Sequence, residues 1–203
     1  MRSVLVFGGT FDPVHDGHLA IAKQARAAAG AEAVWFVPAA LAPLRARPAA
    51  TPEQRLELLL AATRGAVGIE VIDIAIRRGG ISYTAETMEA LHGEHPDVEM
   101  AVLIGADVAR TIGSWHRAGD LLAHERFVVV NRTGPPPLGP AELEALGYAT
   151  SRTVLLSVVS PDISASEVRR RCSVGGSLDG LVPPAVAAMI AAKGLYRSGE
   201  DDA

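Results

Sequence analysis

The sequence predicts a doubly wound α/β fold: a mainly parallel sheet with helices on both faces, followed by a C-terminal helical segment. Three observations carry this. Short apolar runs rich in β-branched residues alternate with segments of helical period. The first two runs, 3–8 and 34–37, are apolar nearly throughout rather than at every second position, as strands covered on both faces are. From residue 164 onward helical segments follow one another without a strand between them.

The opening run, residues 3–8 (Ser-Val-Leu-Val-Phe-Gly), is the first strand. Residues 17–29 carry Leu19, Ala22, Ala25 and Ala29 on one side and Lys23 and Arg26 on the other, and Gly30 closes this helix. Val34-Trp35-Phe36-Val37 before Pro38 is the second strand, completing a β-α-β unit. The alternation then predicts a helix at 52–64, a strand at 69–74, a helix at 84–92, a strand at 99–104, helical turns at 107–122, and strands at 127–131 and 154–158. Segments 39–52 and 133–140 lack periodicity and are rich in proline, so both are expected as surface loops, the first as a lid. Residues 164–195 predict two or three helices, with a break at Gly175-Gly176 and a start at Pro183-Pro184. Residues 1–197 are expected to form a single domain, and the polar residues 198–203 a frayed tail.

At 203 residues the chain can bury roughly 70% of its unfolded surface, enough for a core without disulfides. Apolar residues make up 49% and charged ones 21%, which excludes a disordered chain, and no run approaches the ~18 apolar residues of a membrane span. Nineteen Lys and Arg against 23 Asp and Glu leave a net charge of −4. Bulk electrostatics therefore favours neither nucleic acid nor anionic lipid, and any anion must be caught locally. Cys172, the only cysteine, excludes an internal disulfide and reads as a buried thiol. No signal-peptide pattern opens the chain, so a cytoplasmic location is expected.

The chemistry concentrates in Gly8-Gly9-Thr10-Phe11-Asp12-Pro13-Val14-His15-Asp16-Gly17-His18, between the first strand and the first helix. Paired glycines let backbone approach a ligand, and the free N–H groups of a helix start favour an anion. Neither common phosphate loop is present, and the only lysines are Lys23 and Lys193, so histidine must stand in for lysine. His15 and His18, three apart, can point to one side and grip one polyphosphate. The bland alternative makes one a cap and the other a surface residue; a zinc site is a third reading, lacking a third ligand nearby. At the far end, Ser164-x-x-Glu167 is a capping box that opens a helix at the same rim of the sheet. Ser166 and Arg169 lie on its first turns and offer a hydroxyl and a permanent cation.

These residues resemble the nucleotidyltransferases with a Gly-x-Phe-x-x-x-His-x-Gly-His motif, here Gly9 to His18, whose second signature opens Ile-Ser and closes on Arg, here Ile163 to Arg169. Within them the chain is similar to the bacterial nicotinate mononucleotide adenylyltransferases, through Ser82-Tyr83-Thr84-Ala85-Glu86-Thr87, Ile104-Gly105-Ala106-Asp107, Trp115 and Val130-Asn131-Arg132-x-Gly134. The resemblance implies a Rossmann-like sheet and transfer of AMP from ATP to nicotinate mononucleotide in NAD biosynthesis, with Mg²⁺ as cofactor held by phosphates and water rather than by protein ligands. His15, His18, Ser166 and Arg169 would be catalytic. Gly8, Gly9, Thr10, Phe11, Gly17, Gly105, Asp107 and Ile163 would bind ATP, with Asp107 on the ribose. Tyr83, Thr84, Trp115, Arg132, and Arg45 or Arg47 would meet the mononucleotide, with Trp115 stacked on its ring. Read without the family, Asp107 and Thr84 are helix N-caps and Trp115 a packing residue.

The family's loop after the second strand usually reads close to Pro-Pro-His-Lys, whereas this chain has Ala42-Pro43-Leu44-Arg45-Ala46-Arg47; Arg45 and Arg47 are the candidates to replace the cation. Its usual Ser-Ser-Thr is Ser164-Ala165-Ser166 here, which retains the hydroxyl. The expected partners are ATP and nicotinate mononucleotide, with no nucleic acid and no membrane, and a homo-oligomer left open. Rival readings are nucleotidyl transfer to phosphopantetheine or glycerol phosphate, and a nucleotide sensor without turnover.

Overall fold

A computed structural model describes residues 2–43, 46–133 and 136–197. Its elements in chain order are β1 (Arg2–Gly9), α1 (Asp16–Ala29), β2 (Ala33–Pro38), α2 (Pro52–Thr63), β3 (Ile69–Val71), α3 (Ile74–Arg78), α4 (Thr84–Glu94), β4 (Val98–Gly105), α5 (Ala106–Ala109), α6 (Ala118–His124), β5 (Arg126–Arg132), α7 (Pro140–Ala145), β6 (Thr153–Val158), α8 (Ala165–Ser173) and α9 (Pro184–Lys193), with a 3₁₀ turn at Ile112–Ser114.

The strands form one sheet in the order β3-β2-β1-β4-β5-β6, and every pairing is parallel. In the centre, Val4 of β1 lies opposite Ala33 on one side and Met100 on the other. The chain winds outward from β1 through β2 to β3, then returns to place β4 on the other side of β1. At that reversal the connections leave in opposite directions and open a crevice beyond the carboxyl ends of β1 and β4, where ligands bind in sheets of this order.

Successive residues of a strand face opposite sides, and the core is sorted accordingly. Val4, Val6, Trp35, Val37, Val102, Ile104 and Val129 pack with Ile74, Met88, Leu91, Leu121 and Leu143 from α3, α4, α6 and α7. Leu5, Val34, Phe36, Leu103, Val128 and Val130 pack with Leu19, Leu58, Val168 and Val186 from α1, α2, α8 and α9. Both faces are covered, as the continuous apolar runs require.

Four local expectations are refined. The strand expected at 69–74 ends at Val71, and Ile74 opens α3. The Arg77 N–H donates to the Asp73 carbonyl at 2.9 Å and the Gly79 N–H to that of Ala75 at 3.1 Å, the bonds of a helix, while the Arg77 side chain pairs with Asp73 across one turn at 2.9 Å. The turns expected over 107–122 are three pieces, and Arg117 breaks them at φ 54 before α6, anchored by Asp120 at 2.8 Å and Glu89 at 2.9 Å. Helix α7 is absent from the expected elements; Pro140 starts it and Leu143 alone buries a side chain there. The capping box of α8 is half formed. Ser164 Oγ accepts from the Glu167 N–H at 3.2 Å, but the Glu167 carboxylate is taken by Arg170 at 2.8 Å and Arg171 at 2.9 Å.

The loop between β2 and α2 is fastened at its described ends. Ser82 Oγ accepts from the Ala40 N–H at 2.9 Å, the Ser82 N–H donates to the Leu41 carbonyl at 2.8 Å, and Ala50 is buried. The lid expected at 39–52 includes Leu44 and Arg45, which lie outside the described residues, as do Gly134 and the tail expected at 198–203.

Candidate active site

The β1–α1 turn carries two imidazoles stacked face to face, His15 on His18, with ring centres 3.6 Å apart and planes 26° from parallel. His15 is the N-cap of α1, in extended backbone, and is 7% exposed. Gly17 makes the stack possible: a Cβ there would stand 3.0 Å from the His15 ring and 3.4 Å from the Pro161 carbonyl. Phe11 meets the His18 ring edge-on at 5.1 Å and is itself held by Phe7 and Phe36.

His18 Nδ1 accepts the His15 backbone N–H at 3.3 Å. A neutral His18 therefore carries its proton on Nε2, leaving that nitrogen a donor. Burial, the neighbouring His15 and the Arg132 guanidinium all depress the pKa of His18 well below its ordinary range. His15 is lowered to about 4, chiefly by burial and then by Arg132. His15 Nδ1 is buried with no hydrogen-bond partner. The stack is thus two neutral rings that an anion would draw toward protonation.

From the other end of the chain α8 reaches the same turn. Arg169 donates through Nη1 to the Asp12 carbonyl at 2.7 Å and through Nη2 to Ser166 Oγ at 3.2 Å. The expected pairing of Ser166 with Arg169 and their approach to the histidine turn are both present in this geometry.

Gly8 and Gly9 differ. A Cβ on Gly8 meets nothing within 4 Å, whereas one on Gly9 would stand 2.8 Å from the Phe11 ring. Gly8 therefore opens the strand end to a ligand, and Gly9 makes room for Phe11. At the end of β4, Gly105 lets Asp107 fold back: a Cβ there would lie 2.6 Å from Asp107 Oδ1. Asp107 pairs with Arg132 of β5 at 3.5 Å, so the two expected ligand contacts hold each other in this state.

The cytidylyltransferase-like family matches residues 6–171. Among curated proteins, the "Probable nicotinate-nucleotide adenylyltransferase" of Gemmatimonas aurantiaca is 38% identical over 192 residues, covering 95% of this chain and 91% of that protein. The protein of the same name from Stenotrophomonas maltophilia is 40% identical over 215 residues, covering 96% of each. The chain belongs to the nicotinate-nucleotide adenylyltransferases. A solved Plasmodium falciparum nicotinic acid mononucleotide adenylyltransferase complexed with NaAD shares the fold, at TM-score 0.79 and 16% identity over 97% of this chain and 98% of that one.

Against that membership the other expected site residues sort unevenly. The Tyr83 ring packs on that of His116, the residue after Trp115, with centres 4.4 Å apart. Trp115 donates its indole N–H to Thr111 Oγ1 at 3.1 Å and leans on the core without being buried in it. The N-cap of α4 is Tyr83 and that of α5 is Gly105, so the bland readings of Thr84 and Asp107 as caps do not hold. Thr10 presents its carbonyl to Arg55 at 2.6 Å. Ile163 puts its side chain in the core, and its backbone N–H donates to the Pro161 carbonyl at 2.9 Å. Arg47 is exposed and forms no hydrogen bond or ion pair among the described residues; Arg45 lies outside them. No group of three or more His, Cys, Asp or Glu among the described residues is placed to hold a metal, so the zinc reading finds no ligand set. No described helix is long and apolar enough to cross a membrane.

Sequence reasoning missed Asp12, Arg55 and Tyr196. Arg55 is fully buried and donates to the carbonyls of Thr10, Ala40 at 2.9 Å and Ala50 at 3.4 Å. Backbone partners leave no sequence signal. For Asp12, its place inside the histidine motif was the available hint.

Proposed function

We propose that the chain joins ATP and nicotinate mononucleotide into nicotinate adenine dinucleotide, releasing pyrophosphate, by direct in-line attack. The observation that carries this reading is Arg169 of α8, braced on the turn that bears His15 and His18 and holding Ser166 beside it. The relatives' names supply the acceptor, and Trp115 with the Tyr83 turn offers a flat surface for its ring.

A phosphate oxygen of the mononucleotide forms the bond to the α-phosphorus of ATP, and the bond from that phosphorus to the bridging oxygen of pyrophosphate breaks. The attacking phosphate has its second pKa near 6 and is already largely ionised, so no general base is required. Charge crowded between the attacking and leaving phosphates needs preorganised donors. His18 Nε2–H, His15, Ser166 Oγ and the Arg169 guanidinium supply them, and Gly8 leaves the backbone open to the nucleotide. Arg132 would exchange Asp107 for phosphate oxygens, freeing the carboxylate to accept from the ribose hydroxyls. Mg²⁺ arrives with the ATP phosphates as part of the substrate, neutralising their charge. That fits the carboxylates present: Asp12 is occupied by N–H and O–H donors and Asp107 by Arg132.

Purified protein with Mg-ATP and a panel of nicotinate mononucleotide, its amide form, phosphopantetheine and glycerol phosphate tests the reading by pyrophosphate release. The expected result is turnover with the first; release only with an aliphatic acceptor, or with none, rejects it. Trp115→Ala is expected to raise the mononucleotide KM at least tenfold while leaving Mg-ATP affinity within twofold. Equal damage to both would make Trp115 a packing residue.

A further inference from the structure

Asp12 gathers more of the molecule than any catalytic histidine does. It is 5% exposed, and its carboxylate accepts from the Ala49 N–H at 2.8 Å, the Ala50 N–H at 3.1 Å and the Tyr196 hydroxyl at 2.9 Å. Its carbonyl accepts from Arg169 Nη1, which stands 3.9 Å from its Oδ2. One residue thereby joins the histidine turn, the end of the β2–α2 loop, α8 and the last described turn of the chain.

Tyr196 is held in an uncommon backbone. Its φ is 61, in the left-handed region that favours glycine, two residues after Gly194 closes α9 at φ 63. A tyrosine stays there when its side chain is fixed elsewhere, and here the fixed point is Asp12. Burial first, then the Asp12 carboxylate, raises the phenol far above its ordinary pKa, against the opposing pull of Arg169 and Arg55. The hydroxyl thus remains a donor.

We infer that Tyr196 is a positioning residue for adenylyl transfer: its hydroxyl fixes the Asp12 carboxylate, and Asp12 in turn sets where the Arg169 guanidinium stands. The inference rests on the reading that Arg169 grips the nucleotide phosphates. The path is short and physical. Without the hydroxyl, the carboxylate keeps only the Ala49 N–H on Oδ2 and the Ala50 N–H on Oδ1, its charge is shared with one donor fewer, and its stronger pull on the guanidinium 3.9 Å away would draw Arg169 toward Oδ2 and off the phosphates.

The test compares Tyr196→Phe in the wild-type and Arg169→Lys backgrounds, reading kcat from pyrophosphate release and Mg-ATP affinity by titration calorimetry. Tyr196→Phe is expected to lower kcat roughly tenfold alone, the scale of one lost hydrogen bond, and less than twofold in the Arg169→Lys background. Mg-ATP affinity should show the same asymmetry. An unchanged Tyr196→Phe enzyme, or equal losses in both backgrounds, would overturn the inference and leave Tyr196 a structural anchor. If Tyr196→Phe does not fold, Tyr196→Gly replaces it, since it also removes the hydroxyl and glycine adopts the φ of 61 without strain; the same asymmetry is required. A wild type silent with nicotinate mononucleotide would defeat the substrate reading alone, because the Mg-ATP affinities still decide this one.

Discussion

The His15–His18 stack is neutral because each ring is desolvated, and next to burial His15 disfavours charge on His18 while Arg132 disfavours it on both. In the proposed mechanism His18 donates its single ring proton, directed to Nε2 by the bond its Nδ1 accepts. His18→Ala is expected to lower kcat at least ~100-fold, the scale of one preorganised transition-state donor, with Mg-ATP affinity reduced far less. Activity within tenfold of wild type would remove His18 from the mechanism. The same burial makes an acid-stability prediction. His15 titrates near 4 when folded and near 6.5 when unfolded, so the unfolded chain binds more protons between those values and stability falls with pH across that window. Full stability is present above 6.5. Between pH 7.5 and 5 the His15 shift corresponds to about 2 kcal/mol. Urea midpoints across that range should fall more steeply for wild type than for His15→Asn; parallel curves would show that His15 titrates normally.

At the scale of elements, the end of β1 separates two roles that the sequence shows as one Gly-Gly pair. Gly8→Ala is expected to fold with an unchanged melting temperature and to weaken Mg-ATP at least tenfold, because its methyl enters open space where nucleotide would lie. Gly9→Ala is expected to destabilise the protein by about 1–3 kcal/mol, because the Phe11 ring behind it must move. Thermal melts and calorimetry on the pair read both effects, and a reversal of the two phenotypes would place the nucleotide on the other side of the strand. Sequence patterning reached such elements where one force dominated. The runs at 3–8 and 34–37 read as strands because continuous apolar character suits burial on two faces, and all six expected strands are present, that expected at 69–74 only as far as Val71. It failed where tertiary contacts decided, as at Ile72-Asp73-Ile74, whose alternation reads as strand until Asp73 and Arg77 close a helical turn. The candidate site was legible in the same uneven way. His15, His18, Ser166 and Arg169 announce themselves by residue type and spacing, but Arg55 acts on three backbone carbonyls and Tyr196 lies 184 residues from Asp12.

Across the whole molecule, the winding order places the ends of β1, β4 and β5 and the start of α8 around one crevice, and under the proposed function the charges there would meet an anion that brings its own metal. Arg132 and Arg169 are each held by an acidic residue or a carbonyl, and the carboxylates among them are already engaged. Such a site should respond to the Mg-ATP complex and ignore Mg²⁺ alone. A ligand at one hundred times its Kd stabilises the folded state by about 2.7 kcal/mol, which for a chain of this size raises Tm by roughly 5–10 °C. Thermal melts are therefore expected to show that rise with Mg-ATP, less than half of it with ATP and EDTA, and under 1 °C with millimolar Mg²⁺ by itself. The last condition is the sharp one. A rise of several degrees with Mg²⁺ alone would mean that protein carboxylates hold the ion, so Asp12 or Asp107 would have to leave the partners that engage it and the crevice would be a metal site before it is a phosphate site.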